Sequence, residues 1–240
     1  WPARGDLHDG RAFVLKEDVI FTVLAQEGGI SWMNGRHPQS GGSFIIATAV
    51  SDEEEERATR LLKNEFALRD RLHDGWAIRP VASTQYRGRF ALVYAPFCFE
   101  LLACRAGKAI SGIARFIEMA IRICGPLRQM HLQNLIHGDI KPGSIFVYHD
   151  ATCRLGSFGL SCRFSDAFSQ TRLTVSGGTP AWMSPEHTTR TRRPVDSRSD
   201  LYSLGMVLYE LLTGRLPFEL GADDQTNWAH YHIASEPLAP

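Results

Sequence analysis

Several short stretches of this 240-residue chain carry side chains able to do chemistry, and they follow one another in a definite order. The first, from Leu135 to Val147, reads LIHGDIKPGSIFV. It presents a histidine (His137), a carboxylate (Asp139) and an ammonium (Lys141, then Pro142) at alternate positions ahead of an apolar run. Carboxylate and ammonium groups two residues apart are the side-chain types of proton transfer and anion neutralisation. The second stretch, Leu155 to Leu160, reads LGSFGL. A third combines Gly178-Thr179-Pro180 with Ser184-Pro185-Glu186. The last opens with Asp200-Leu201-Tyr202-Ser203-Leu204-Gly205 and runs through Leu211-Leu212-Thr213-Gly214 to Pro217-Phe218. Each is weak alone, because a bare His-x-Asp arises by chance in many proteins.

The elements that must position these groups follow from periodicity. Phe13–Leu15 and Val19–Leu24 are β-rich, Gly28-Gly29 makes a turn, and Ile30–Asn34 with Phe44–Val50 reads as two further strands. Ser51 with Glu54 fits a capping box at the start of a helix whose first turn is the solvated acidic run Asp52–Glu56. Leu61, Leu62, Phe66, Leu68 and Leu72 supply that helix's apolar side. Val81–Tyr86 and Arg89–Tyr94 form a hairpin around Gly88, closed by Pro96. Beyond Phe97 the period lengthens. Ile113, Phe116, Ile117, Ala120, Ile121, Cys124, Leu127 and Met130 predict an amphipathic helix through Leu132, and Ser199–Gly214 predicts a second with Gly214 at its C-terminal end. A small β-rich half before a larger helical half implies two lobes, divided at 97/98, with a cleft between.

Composition narrows the function classes. Equal counts of Lys+Arg and Asp+Glu, 26 each, remove bulk attraction to nucleic acid or to an anionic membrane. The five cysteines (Cys98, Cys104, Cys124, Cys153 and Cys162) contain no CxxC pair and are odd in number. That argues against a zinc site or a disulfide framework and for reduced thiols in a cytoplasmic setting. The longest apolar stretch, Ala91–Cys104, contains Pro96 and Glu100 and is too short to span a bilayer. No basic-then-apolar leader opens the chain.

Taken together and in order, the motifs resemble those of protein kinases, over roughly Leu135 to Phe218. The resemblance implies an α+β, bilobal kinase fold with a small β-rich N-lobe and a larger helical C-lobe. In that family the loop Asp, here Asp139, accepts the substrate hydroxyl proton, and the Lys, here Lys141, steadies the transferring phosphate. Thr179 matches the Thr that bonds both of them. Asp200 matches the Asp that anchors the catalytic loop, and Glu186 the Glu that closes the activation segment. Glu65, in Leu62-Lys63-Asn64-Glu65-Phe66, matches the helix Glu of the N-lobe. Gly28 and Gly29 stand where the Gly-rich loop would be, a generic turn being the equal alternative, and with Glu65, Tyr94 and Ala95 they are the cofactor-binding positions the resemblance implies.

The departures are as informative as the matches. Ser144 occupies the position of the Mg²⁺-binding Asn, and Ser157 that of the Asp in Asp-Phe-Gly, so no metal ligand set is expected. The strand Ser43–Val50 has Ala47 or Ala49 where the family places a phosphate-aligning Lys. The chain's four lysines, Lys16, Lys63, Lys108 and Lys141, offer no replacement there, and Arg36 is the one cation weighed as a substitute. Gly138 replaces the Arg before the catalytic Asp. Ser165, Ser169, Thr171, Thr174 and Ser176 read as a solvated polar loop, with modification as the sharper alternative.

The stretch from Gly178 to Pro240, ending HIASEPLAP, is similar to the kinase-like domain at the N-terminus of bacterial and fungal hybrid sensors. In those proteins AAA-type ATPase, GAF and histidine-kinase regions follow, and ordinary bacterial receptor Ser/Thr kinases share much of the same pattern. The expectation is therefore a pseudokinase-type regulatory or scaffolding domain of a sensor histidine kinase, with the downstream domains as partners. No cofactor is expected, though weak ATP binding without Mg²⁺ is open. The alternative is an active or weakly active Ser/Thr kinase with atypical metal ligation, for which Asp150 and Asp166 are candidates. The C-lobe is expected to be incomplete, leaving Glu186 buried without the family's arginine partner, at a cost of about 3–5 kcal/mol.

Overall fold

The computed structural model describes residues 15, 18–105, 107–164, 178–188, 190–191, 193–218 and 227–240. The chain divides into two compact units. Unit 1 runs to Phe99 and also holds Ser157–Gly159; unit 2 comprises Glu100–Gly156 and Leu160–Pro240. The division read from sequence keeps residues 157–159 with the second half, and the structure places them in the first. The reason is local packing. Phe158 is fully buried with its ring edge-on to Trp76 at 6.0 Å, and Asn64 Nδ2 donates to the Gly159 carbonyl at 3.0 Å.

Unit 1 is an antiparallel sheet of β1 (Ile20–Glu27), β2 (Ile30–Arg36), β3 (Ser43–Ala49), β4 (Pro80–Tyr86) and β5 (Arg89–Tyr94), ordered β1-β2-β3-β5-β4. Helix α1 (Glu55–Leu68) packs on β3, β4 and β5. The central strand β3 is apolar almost throughout because both of its faces are covered. One face joins Met33, Phe44, Ile46, Ala82 and Val93 into a core cluster. Alternation sends Trp32, Ala47 and Leu92, which stand side by side in register, to the other face. Both hairpin turns, Gly28-Gly29 and Arg87-Gly88, have positive φ at both residues, as tight two-residue turns require. The capping box read at Ser51–Glu54 does not form. The helix starts at Glu55, and its N-cap Glu54 makes no side-chain cap. The strand read at Phe13–Leu15 lies outside the described residues except for Leu15, which belongs to no strand.

Unit 2 is mainly helical. Its order is β6 (Glu100–Leu101), α2 (Ile113–Leu132), β7 (Leu135–Ile136), β8 (Ile145–Val147), β9 (Cys153–Leu155), β10 (Cys162–Arg163), α3 (Ser197–Thr213) and α4 (Trp228–Ala234). The short strands pair as β6-β8-β9 and β10-β7. Helix α2 buries Ile123, Pro126, Leu127 and Met130, the inward half of the periodicity seen in the sequence. Helix α3 is fixed at both ends. Asp196 and Ser199 form a reciprocal capping box, and Gly214 closes the helix at φ +76°. The strands and loops between α2 and α3 carry the chemistry-bearing residues. A kinase-type architecture, β-rich first unit and helical second, is thus present.

Two glycine substitutions test this packing. A Cβ at Gly159 would lie 2.6 Å from the Leu61 Cβ, so Gly159→Ala is expected to cost about 1–3 kcal/mol by overpacking. Gly205, inside α3 with nothing within 4 Å of a Cβ, is the opposite case. Gly205→Ala should stabilise by about 0.5–1 kcal/mol. Urea unfolding of both variants reads the two signs.

Candidate functional site

The first group of candidate residues lies wholly in unit 2. Asp200, 1% exposed on α3, accepts from the backbone N–H groups of His137 and Gly138, each at 2.9 Å, and sits 2.9 Å from His131 Nε2. Those bonds fix the loop that follows β7. Within it, the fully buried His137 engages the Gly156 carbonyl through Nε2 at 3.0 Å, and its Nδ1 accepts from the Asp139 N–H at 3.2 Å. The carbonyl can only accept, so Nε2 carries the proton and the ring is neutral. Burial pushes its pKa further down. Gly138 has φ +77°, and a Cβ there would come 3.1 Å from the Leu160 carbonyl oxygen. Glycine suits this loop conformation, which any side chain at the position would strain.

Asp139, Lys141 and Thr179 come together as one bonded trio. Lys141 Nζ lies 3.1 Å from Asp139 Oδ2 and donates to Thr179 Oγ1 at 2.6 Å, while the Thr179 N–H donates to Asp139 Oδ1 at 2.9 Å. The trio can hold an anion through the ammonium and take a proton on the carboxylate. Ser144 has a different use. Fully buried, it donates to the Lys141 carbonyl at 2.9 Å and accepts from the Lys141 N–H at 3.1 Å. Its hydroxyl thus stitches the 3₁₀ turn Pro142–Ser144, which holds Lys141 in place.

The second group lies wholly in unit 1. Glu65 is 2% exposed and receives the Tyr94 hydroxyl at 3.0 Å, with the Phe158 backbone N–H as its other donor. Desolvation outweighs both bonds and raises its carboxyl from 4.5 to about 7. Tyr94 is itself buried, and its ring packs against Trp32 at 5.0 Å between centroids. Its hydroxyl is committed to Glu65 rather than turned outward, whereas Ala95 is exposed. Ala47, fully buried, stands opposite Trp32 in the sheet register, and no side chain of β3 carries charge. At the β1–β2 turn, the Gly28 carbonyl accepts from Arg57 at 3.0 Å and the Gly29 carbonyl from the Val50 N–H at 2.9 Å. A Cβ at Gly29 would lie 2.5 Å from Glu54 Oε2, so a carboxylate covers this turn. Ser157 adopts φ +63°, a conformation that costs a non-glycine residue roughly 1–2 kcal/mol.

Other sequence candidates fall elsewhere. Arg36 ends β2 opposite Ser43, is exposed, and lies four residues along the strand from the Trp32–Ala47 pair, so it replaces no strand lysine. Lys63 is exposed with Nζ 5.7 Å from the Phe90 ring centroid, and Lys108 is exposed. Asp150 is an exposed turn residue whose Oδ1 accepts from Thr152 N and Oγ1 at 2.9 and 2.7 Å, so the structure gives it no metal-binding setting. Lys16, Asp166, Ser165, Ser169, Thr171, Thr174 and Ser176 lie outside the described residues. Glu186 is corrected. It is half-buried rather than buried, and Oε1 accepts from Ser199 Oγ at 3.1 Å beside a cavity of about 520 Å³ lined also by Arg193, Pro194, Asp196 and Arg198.

The sequence reading passed over Trp32 and gave His232, the first residue of HIASEPLAP, no role. Nothing in local spacing marks Trp32 as the cover of Tyr94; only strand register does. His232 on α4 bonds the Pro180 carbonyl through Nε2 at 2.7 Å and Tyr202 through Nδ1 at 2.9 Å, anchoring the residue next to Thr179. Among the described residues no group of three or more His, Cys, Asp or Glu side chains could hold a metal ion. The hydroxyl at 144 is taken up by the Lys141 backbone, and position 157 carries a serine.

A family model described as "Protein kinase domain" matches residues 46–237. The serine/threonine-protein kinase PknB of Mycobacterium leprae is 36% identical over 124 residues, 52% of this chain and 19% of that protein. A probable serine/threonine-protein kinase of Corynebacterium efficiens is 36% identical over 121 residues, 50% of this chain and 18% of the relative. One from Streptomyces coelicolor is 36% identical over 127 residues, covering 52% and 18%. Each match thus spans under a fifth of the relative's own length.

Because Glu186 keeps a neutral local partner and some solvent, Glu186→Ala is expected to cost about 1 kcal/mol, the worth of one hydrogen bond, and not the 3–5 of a broken buried ion pair. Denaturant midpoints of wild type and variant decide between the two.

Proposed function

This chain belongs to the protein kinase domain family, and from that premise we propose that it serves as a pseudokinase-type regulatory or scaffolding module rather than as a phosphotransferase. The observation that carries the proposal is the reassignment of Ser144, whose hydroxyl is occupied on both sides by the Lys141 backbone. Phosphoryl transfer is achieved by positioning and charge neutralisation, with the cations bridging the β- and γ-phosphates. Here the strand lysine is alanine, both metal positions are serine, and a carboxylate overlies the Gly28-Gly29 turn. Losing one preorganised electrostatic contact costs on the order of 10²–10³ in rate, and these losses fall on a single cooperative unit.

The bonded trio of Asp139, Lys141 and Thr179 favours the second reading, a weakly active Ser/Thr kinase, since the groups that treat the hydroxyl and the phosphate remain in place. The trio is equally what a stable loop requires, because each of its charges is neutralised within it. The proposed setting is a cytoplasmic signalling protein of the hybrid-sensor type, with ATPase, GAF and histidine-kinase regions of the same chain as partners. Its support is the sequence resemblance from Gly178 to Pro240. No described helix is long and apolar enough to cross a membrane.

Calorimetry with ATP and millimolar Mg²⁺ tests the reading. No binding tighter than about 1 mM is expected, equivalent to roughly −4 kcal/mol. A low-micromolar dissociation constant abolished by EDTA would overturn it. The double variant Ser144→Asn with Ser157→Asp should remain inactive, because no strand lysine stands with Glu65. Robust phosphorylation of a generic Ser/Thr peptide by that variant, lost on adding Asp139→Asn, would favour the kinase reading.

A further inference from the structure

Glu65 is a buried carboxyl group with no cation among its partners in the described residues of unit 1. Its two partners are the Tyr94 hydroxyl at 3.0 Å and the Phe158 N–H. The neighbouring Asn64 holds the Gly159 carbonyl at 3.0 Å, so consecutive residues of α1 grip the Phe158-Gly159 pair. Trp32, 2% exposed, lies against the Tyr94 ring and edge-on to Phe99 at 6.4 Å, which keeps water from the Tyr94–Glu65 bond. We propose that Tyr94 is a positioning residue that has taken over the tethering of α1 from the absent strand lysine, making α1 and its grip on Phe158-Gly159 a latch that loosens on loss of a proton and needs no nucleotide to close.

The surroundings leave the Glu65 proton as the variable. Neither β3 nor β4 contributes a formally charged side chain; Tyr86, at the far end of β4, is the other titratable phenol. On β5, Arg89 is paired with Asp52. On α1 itself, Lys63 lies over Phe90, Arg57 bonds the Gly28 carbonyl, Arg60 is exposed, and Glu55 and Glu56 occupy the first turn. After the helix, Arg69 lies over Phe66 and beside Asp70. Residues 157–159 carry no charge. Below the folded-state value of about 7, Glu65 is a neutral acid bonded to Tyr94. Above it a carboxylate remains in an apolar setting with one hydroxyl and one N–H. The folded state binds the proton more tightly than the open one, so the latch holds at lower pH and weakens as pH rises through about 7.

The inference rests on packing inside unit 1 and stands whether or not Mg-ATP binds, so measurements without nucleotide separate its failure from that of the pseudokinase reading. Hydrogen–deuterium exchange of the α1 amides of the whole chain at pH 6 and pH 8, corrected for intrinsic rates, reads the latch. Wild type should open about tenfold more at pH 8. Glu65→Gln, which keeps an acceptor for Tyr94 but has no proton to lose, should bring that ratio to about one. Tyr94→Phe, which keeps the ring against Trp32, should open more at both pH values and enlarge the ratio, because the ionised form loses its better donor. Equal pH ratios in all three proteins would make the contact merely structural and overturn the proposal. A carbon-detected NMR titration of wild type supplies a check free of folding defects. A Glu65 carboxyl titrating near 7 supports the latch, and one titrating below 5 overturns it.

Discussion

A carboxyl group taken out of water must find enough donors to hold its charge or else keep its proton. The two units surround a buried carboxyl group differently. Asp200 is wrapped by two backbone N–H groups and a histidine, and it can stay a hub for the loop that carries His137, Gly138 and Asp139. Glu65 has one hydroxyl and one N–H, and its carboxyl is displaced from 4.5 to about 7. The first arrangement ties the loop to a helix through three contacts. The second makes the placement of a helix a matter of proton occupancy.

The same reasoning explains which parts of the kinase apparatus persist. Asp139, Lys141 and Thr179 satisfy one another, so the trio is stable without any ligand. A metal-binding amide at 144 or carboxylate at 157 has no such internal partner. Serine at 144 instead makes two hydrogen bonds to the backbone of Lys141, so the residue there supports the one that the trio uses. Glycine at 138 relieves φ +77° in the same loop.

Much of this was legible in the sequence because it is local. The strands β2 to β5, the helices α2 and α3 and the hairpin at Gly88 rest on short-range periodicity, whereas the bonded trio, with Thr179 lying 38 and 40 residues from its partners, was expected from the family resemblance. The failures are non-local or competitive. Ser51 and Glu54 have the pattern of a capping box, yet Glu54 lies over Gly29 and the helix begins after it. Glu186 was expected to need a distant arginine, and a serine 13 residues on, in α3, serves instead. Residues 157–159 follow β9 in sequence but pack with α1 and Trp76, because a buried phenylalanine goes where apolar surface is available. No spacing rule reveals that Trp32 covers Tyr94, since their proximity arises from the β2-β3-β5 register.

That register also couples the changes in unit 1 to one another. Trp32, Ala47 and Leu92 lie abreast on one face of the sheet, and Ile45 and Tyr94 are the next pair along. A small residue at 47 leaves room for an indole at 32, and the indole in turn excludes water from the phenol that serves Glu65. Returning a lysine to position 47 would place a long chain against a fully packed tryptophan, an overpacking of about 1–3 kcal/mol before any ion pair forms. The ammonium would also meet a carboxyl group already bonded to Tyr94. Alanine, tryptophan and tyrosine therefore act as a set. Ala47 and Trp32 thus belong to one packed face of unit 1, which the Tyr94–Glu65 bond completes.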